Sequence, residues 1–312
     1  MHLESLLFAV QVILPVCLLV SLGVLLKKLR IIDQHFIDVA SSLVFKVTLP
    51  TLVFLAIAGM DSDLSKHIPL LIFVTVAILV SCILGYGWTK LTGVSDQDRS
   101  AFVQAAFRSN LGIIGIAMVV YAFGEEGTRY GALVLAIGVP MYNLLSVMVL
   151  ANDQDVSLVG QAKLILTNPL IVAIVLALPF SLLAIKLPDV VLSAAHSLGS
   201  MTLPLALISI GGSLSLAEFR RANQVTLQIA FLKLIVFPGL VLCFGLLAGF
   251  EGIELGVMVI MLASPTAAAA FVMSRSMGGN ATLTANAIAV TTLGSLITTG
   301  AYFYVLRFLS LV

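Results

Sequence analysis

Two short stretches of the chain each combine a helix-capping side chain with a helix-breaking residue. In the first, Asn110 stands just before Gly112; in the second, Ser264 is followed by Pro265 and Thr266. A serine oxygen can accept a free backbone N–H and proline fits the first turn of a helix, so Ser264-Pro265 predicts a helix start. Asn110 can cap in the same way, and Gly112 loosens the backbone beside it. We expect both stretches to interrupt helices and to bind a ligand.

Long apolar segments surround both stretches. Of 312 residues, 60% are hydrophobic and 10% are charged, whereas about 25% of residues are charged in soluble domains. The composition predicts an all-α integral membrane protein with about 20 residues per crossing. The apolar runs predict ten transmembrane helices, at Leu6–Leu26, Phe36–Gly59, Ile68–Leu91, Ala101–Phe123, Tyr130–Leu150, Ala162–Ile185, Val190–Leu214, Val225–Gly249, Leu255–Met277 and Leu283–Leu309.

Other function classes find little support in the residues. The net charge of +1 and the lack of a basic run give no sign of a nucleic-acid partner. The three cysteines are isolated in apolar segments, which favours buried hydrophobes over a metal site or a disulfide. No Ser/His or Asp/Asp pair falls at membrane depth, so we expect no enzyme and no cofactor.

The basic residues predict the orientation in the cell (inner) membrane, because basic loops stay in the cytoplasm. With the N-terminus outside, Lys27, Lys28 and Arg30 after the first span are cytoplasmic, as are most other basic residues in the connections. Both termini are therefore expected on the non-cytoplasmic side of a multi-pass protein.

Three basic residues, Lys46, Arg108 and Lys233, fall inside predicted spans, where a charge is costly and usually faces protein or water. The acidic residues lie in connections and termini, so an anionic ligand is one explanation for these cations. The other is that the side chains snorkel to the cytoplasmic surface, which we favour for Lys233. Asn143 and Asn286 can likewise contact a substrate or form interhelical hydrogen bonds.

The chain also contains an internal repeat. The offset of 154 positions from Asn110 to Ser264 also aligns other prolines and glycines that interrupt helices. It pairs Pro15 with Pro169, Thr48-Leu49-Pro50 with Thr202-Leu203-Pro204, and Gly124 with Gly278. Residues 1–151 and 152–312 then each hold five spans, an odd number, which predicts two inverted five-helix repeats. In such proteins the site lies near the membrane midplane where broken helices meet, so we expect helices 4 and 9 to cross there. Their half-helix N-termini favour an anion.

The chain resembles the auxin efflux carrier family, including its bacterial malate- and malonate-permease-like members. The resemblance covers essentially the whole chain. Ala117 and Ala270 stand where plant members carry a proline in each crossing helix. The motifs that carry the resemblance are Leu49-Pro50-Thr51-Leu52-Val53-Phe54, Asn110 through Gly115, Phe123-Gly124-Glu125-Glu126-Gly127, Asn168-Pro169-Leu170, Lys233 through Pro238, and Ala263-Ser264-Pro265.

The resemblance implies a scaffold of helices 1, 2, 6 and 7, a transport domain of helices 3–5 and 8–10, elevator-like alternating access and a homodimer. With the residues above, it predicts a secondary transporter for a small organic anion, a mono- or dicarboxylate. Asn110, Ser264 and Thr266 would bind the anion, with Arg108 and Lys46 balancing its charge. A non-transporting sensor of a small anion on the same fold is the alternative.

Overall fold

The structure, a computed structural model, describes residues 2–60, 64–151, 166–214 and 216–312. Within these ranges all regular secondary structure is helical, and two short helices, Leu64–His67 and Leu216–Arg220, lie in connections. The longer helices, labelled after the predicted spans, are α1 (His2–Lys28), α2 (Gln34–Ala58), α3 (Ile68–Thr92), α4a (Asp96–Phe107), α4b (111–123), α5 (125–150), α6 (Pro169–Leu182), α7 (Asp189–Ser213), α8 (Gln224–Leu247), α9a (Gly252–Ala263), α9b (Ala269–Ser276) and α10 (Ala281–Phe308).

Helix length and composition agree with a membrane protein. Seven helical stretches in the described ranges are long and apolar enough to cross a bilayer: α1, α2, α3, the stretch 111–150, α7, α8 and α10. Helices α6 and α9a are apolar but shorter. The predicted start of the sixth span at Ala162 lies outside the described residues. The prediction of a helical, multi-pass membrane protein is confirmed.

Polar caps set several helix starts. Asp33 Oδ1 accepts the N–H of Phe36 at 2.8 Å at the start of α2. Ser95 Oγ accepts the N–H of Asp98 at 3.2 Å, so α4a begins at Asp96, before the predicted start at Ala101. A capping side chain satisfies one of the backbone donors that every helix start leaves free.

Gly124 divides the stretch 111–150 into two antiparallel helices. Its backbone angles, φ 58° and ψ −136°, lie outside the helical region. A Cβ on Gly127 would lie 3.1 Å from Val119 Cγ1, and one on Gly138 would lie 2.5 Å from Leu111 Cδ1. Positions on either side of Gly124 therefore face each other along the whole length of α4b, and the two helices form a hairpin.

Gly124→Asn is expected to destabilise the protein by about 1–3 kcal/mol, because only glycine readily adopts such backbone angles. Gly93 is the matched control, since its angles of φ 69° and ψ 30° lie in the left-handed region that asparagine tolerates. A Cβ at either position meets no atom within 4 Å. Thermal unfolding in detergent should show a larger loss for Gly124→Asn than for Gly93→Asn, and equal losses would contradict the backbone explanation.

Two of the interior prolines follow a π-helical turn. In α2 the turn is Val44–Thr48 before Pro50, and in α8 it is Leu232–Val236 before Pro238. A proline inside a helix removes a hydrogen bond and clashes with the preceding turn, and a wider turn relieves both effects. Each π turn also carries one of the lysines predicted inside spans, Lys46 or Lys233.

Helices α4a and α9a form the centre of the molecule. Residues 101–109 and 255–263 are buried at every position. Both stretches therefore lie in the interior, although 101–109 includes the polar residues Gln104, Arg108 and Ser109. Helices α1 and α7 also pack closely against each other. Gly23 of α1 lies against the backbone of Ile208, and Gly211 of α7 lies against the backbone of Val20.

Candidate functional site

The two predicted interruptions contact each other through their backbones. Ser109 and Thr266 form an isolated antiparallel bridge. The N–H of Asn110 donates to the carbonyl of Pro265 at 2.7 Å, and the N–H of Ala267 donates to the carbonyl of Arg108 at 3.1 Å. Each interruption thereby satisfies backbone groups that the other releases from helical bonding. The structure brings together the two stretches that the sequence marks as sites of chemistry.

The predicted capping role of Ser264 is wrong. Ser264 ends α9a instead of starting the next helix, and its Oγ donates to the carbonyl of Met261 at 2.7 Å. The residue before a proline favours extended backbone, and Ser264 has ψ 151°. The following residues stay extended to pair with the other interruption, so α9b begins only at Ala269.

The predicted capping role of Asn110 is also wrong. Asn110 does precede α4b, but its side chain makes no capping hydrogen bond; its backbone carbonyl accepts the N–H of Gly115 at 3.0 Å. The first turn is π-helical, which leaves its leading N–H groups without intrahelical acceptors. The Asn110 amide is partly exposed and has no hydrogen-bond partner in the described part of the chain.

A small cavity of about 50 Å³ adjoins the starts of both second half-helices. Asn110, which precedes α4b, and Ala268, which precedes α9b, both line it. The volume holds a few water molecules. The remaining lining residues are Ile114, Ile210, Ser213, Leu214, Glu218, Ile288, Ala289 and Thr292. Sequence reasoning missed Thr292 as part of the site, because it reads as one of many small residues that close-pack α10.

Arg108 is buried and held by α5. Only 7% of the residue is exposed. One guanidinium nitrogen donates to the carbonyl of Tyr142 at 2.9 Å and to Ser146 Oγ at 2.8 Å, and the other donates to Asn143 Oδ1 at 2.8 Å. The snorkelling alternative for Arg108 is therefore wrong. Asn143 forms the interhelical hydrogen bond that was one of its two predicted roles.

Ser264 and Thr266 are buried where the two interruptions contact each other, each 0% exposed. Thr266 Oγ1 donates to the carbonyl of Ala105 at 2.8 Å, and the N–H of Thr266 donates to Thr291 Oγ1 at 3.1 Å. Pro265 is buried beside them. In this conformation these residues hold the two breaks together.

Three other predicted site residues lie away from the cavity lining. Lys46 is exposed on α2 and has no partner among the described residues. Gly112 packs toward α2, since a Cβ there would lie 3.2 Å from Leu49 Cδ2. Asn286 Nδ2 donates to the carbonyl of Arg221 at 3.4 Å. The structure does not bring these three residues together with the Asn110 amide.

Lys233 is the buried cation that the sequence reasoning placed wrongly. It is 1% exposed, and its Nζ donates to Ser109 Oγ and, at 3.2 Å, to the carbonyl of Leu262. The expectation that it snorkels is therefore wrong. No local signal in the sequence locates it, because the packing of α8 against both interrupted helices directs the side chain inward.

A second polar contact ties the two half-helices together beside the breaks. Ser274 Oγ donates to Gln104 Oε1 at 2.9 Å and lies 2.9 Å from Thr284 Oγ1. All three residues are 0% exposed. A buried side-chain network of this kind fixes one arrangement of α4a, α9b and α10.

A larger cavity of about 540 Å³ lies elsewhere, between α2, the α4b–α5 turn and the α6–α7 connection. Its charged and titratable lining residues are Glu125, Arg129, Lys186, Asp189 and His196. They are of both signs, and none of them belongs to the interrupted helices. Of the two, the smaller cavity is the stronger candidate for a specific anion site, because it adjoins the starts of both second half-helices.

Known proteins match the chain along nearly its whole length. Residues 8–159 and 154–303 match the family of membrane transport proteins. An uncharacterized transporter of Methanocaldococcus jannaschii is 24% identical over 307 residues, 95% of this chain and 98% of the relative. One from Methanothermobacter thermautotrophicus is 21% identical over 290 residues, 92% of this chain and 95% of its own. The uncharacterized transporter YfdV of Escherichia coli K12 is 21% identical over 316 residues, which cover 97% of this chain and 99% of YfdV.

Proposed function

Because the chain belongs to the auxin efflux-like family of membrane transport proteins, we propose that it is a secondary transporter of a small organic anion, a mono- or dicarboxylate. One observation carries the choice of an anion: the starts of α4b and α9b adjoin one cavity beside the Asn110 amide. Helix N-termini present free N–H groups and the positive end of the helix dipole, which together favour a carboxylate.

In this proposal the Asn110 amide and the backbone N–H groups at the starts of α4b and α9b bind the carboxylate. Ser264, Pro265 and Thr266 hold the crossing, and Arg108 and Lys233 supply positive charge behind it. The described hydrogen-bond partners of these two cations are neutral oxygens, so neither charge is cancelled by an acid through those contacts.

The cavity must enlarge to admit a carboxylate. Glu218 lines it from the short helix Leu216–Arg220. A carboxylate side chain opposes the approach of an anion, so we propose that this short helix withdraws when the site opens. The larger cavity at the α4b–α5 turn would then be the vestibule on the other side of the membrane.

We further propose that the chain crosses the inner membrane ten times as two inverted repeats, residues 1–151 and 152–312. Gly124 and Gly278, which the repeat aligns, both have positive φ, 58° and 78°, and follow α4b and α9b. The aligned Thr48 and Thr202 are both buried, and their hydroxyls lack hydrogen-bond partners among the described residues. The two family matches divide close to the same boundary. We propose that both termini lie outside, which the distribution of basic residues favours.

The proposed mechanism is elevator-like, with α1, α2, α6 and α7 as a scaffold and the remaining helices as a moving unit. The packing of α1 on α7 and of α2 on both α6 and α7 supports the grouping. The buried contacts of α4a with α9b and α10 support movement of the interrupted helices together. We propose that the scaffold also forms a homodimer.

Uptake of labelled malate, malonate and lactate into proteoliposomes tests the function. We expect saturable uptake of at least one of them above protein-free vesicles, competed by unlabelled anion. Binding of an anion without flux would support the sensor alternative and contradict a transporter. Rates with and without a pH gradient show whether protons drive the transport.

A further inference from the structure

Lys233 lies where the first half-helices end. Its Nζ donates to the carbonyl of Leu262, in the last turn of α9a, and to the hydroxyl of Ser109, which follows the end of α4a. Ser109 Oγ also donates to the same Leu262 carbonyl at 3.0 Å. The ammonium group therefore meets the carbonyl end of α9a, where the helix dipole is negative.

Lys233 does not line the anion cavity. The second half-helices begin at the cavity with free N–H groups, whereas the first half-helices end at Lys233. In transporters with broken helices, carbonyls of the unwound backbone and of half-helix C-termini bind the coupling sodium ion. In this chain the ammonium group of Lys233, a cation attached to the protein itself, binds the Leu262 carbonyl at such a C-terminus.

A further oxygen lies close by. The Tyr142 hydroxyl is buried and lies near Ser109. Carbonyl and hydroxyl oxygens are the ligands that hard cations prefer. Removal of the lysine side chain would leave an enclosed space lined by the oxygens of Leu262, Ser109 and Tyr142.

We infer that Lys233 is a tethered cation that occupies the place of a coupling sodium ion at the helix breaks. Wild-type transport is then independent of sodium, and truncation of Lys233 creates a sodium site. The transport half of this inference rests on the proposed function, whereas the cation-binding half rests only on the contacts of Lys233.

The test uses the purified full chain as wild type, Lys233→Ala and Lys233→Gln. Lys46→Ala is the control, because Lys46 also lies in a π turn, that of α2, but is exposed. Thermal unfolding is recorded in sodium chloride and in choline chloride at equal ionic strength. We expect sodium to raise the unfolding temperature of Lys233→Ala by about 2–4 °C or more and to leave wild type and Lys46→Ala unchanged.

Equal stability of folded Lys233→Ala and Lys233→Gln in the two salts would overturn the inference. If neither variant folds, wild-type uptake decides: equal rates in sodium and choline buffers support the inference, and a tenfold loss in choline overturns it. Sodium-dependent uptake would contradict the inference but leave the proposed function standing. Absence of any flux would contradict the proposed function, while the thermal measurement still tests the cation site.

Discussion

Asn110→Ala is expected to lower initial uptake of the organic anion by at least roughly tenfold at subsaturating concentration, while the protein stays folded. Asn110 lines the cavity and its amide has no hydrogen-bond partner among the described residues, so its loss is expected to remove only a hydrogen bond to the ligand. A hydrogen bond to a charged group contributes about 1.5–3 kcal/mol, which corresponds to a factor of ten or more. The backbone bonds of Asn110 to Pro265 and Gly115 remain available to alanine.

Asn110→Asp is the matched variant for this measurement. It keeps the shape of the side chain but replaces the amide donor with a negative charge, so an anion should be transported at least as poorly as by Asn110→Ala. Equal unfolding temperatures of the variants and wild type control for folding. Wild-type uptake by both variants would show that the carboxylate binds elsewhere.

Gly211→Ala is expected to lower the unfolding temperature by roughly 5–10 °C, the largest stability effect that we foresee for a single methyl group. A Cβ at Gly211 would lie 2.0 Å from the backbone oxygen of Val20, and one at Gly23 would lie 2.2 Å from that of Ile208. A backbone atom cannot rotate aside as a side chain can. The helices α1 and α7 must therefore separate.

Gly87→Ala is the control for the intrinsic effect of the substitution. Gly87 lies inside α3, and a Cβ there meets no atom within 4 Å. Alanine is the better helix former by about 0.5–1 kcal/mol, so Gly87→Ala should raise stability slightly. A fall in unfolding temperature of the same size in both variants would contradict the close approach of α1 and α7.

The sequence could predict what depends on local pattern. Apolar runs predict the helices, and the unusual pairs of capping and breaking residues at Asn110 and Ser264 predict where two of them are interrupted. The common offset predicts that these interruptions are related, and in the structure Ser109 and Thr266 contact each other.

The residues around Ser264 do not by themselves show whether Ser264 starts a helix or ends one. Ser264-Pro265 has the residues of a helix start, but Thr266 pairs with Ser109 across the molecule and keeps the backbone extended. Long-range pairing therefore overrides the local capping preference. The helix start moves to Ala269, which has no capping side chain before it.

The placement of Lys233 could not be predicted for a similar reason. Snorkelling is a reasonable expectation for a lysine near the end of an apolar span. Its acceptors, Ser109 and Leu262, lie 124 and 29 positions away along the chain. Only the packing of α8 against both interruptions determines that the side chain points inward.

The location of the anion at the helix breaks can be measured directly by substrate protection of a cysteine. Ala268→Cys, which lines the cavity, and Ser276→Cys, exposed at the far end of α9b, are introduced into a variant in which Cys17, Cys82 and Cys243 are replaced. The rate of maleimide labelling is recorded with and without an anion that the protein transports. The proposed site predicts severalfold slower labelling of Ala268→Cys and little change at Ser276→Cys. Unchanged labelling of Ala268→Cys at a saturating concentration of that anion would contradict it.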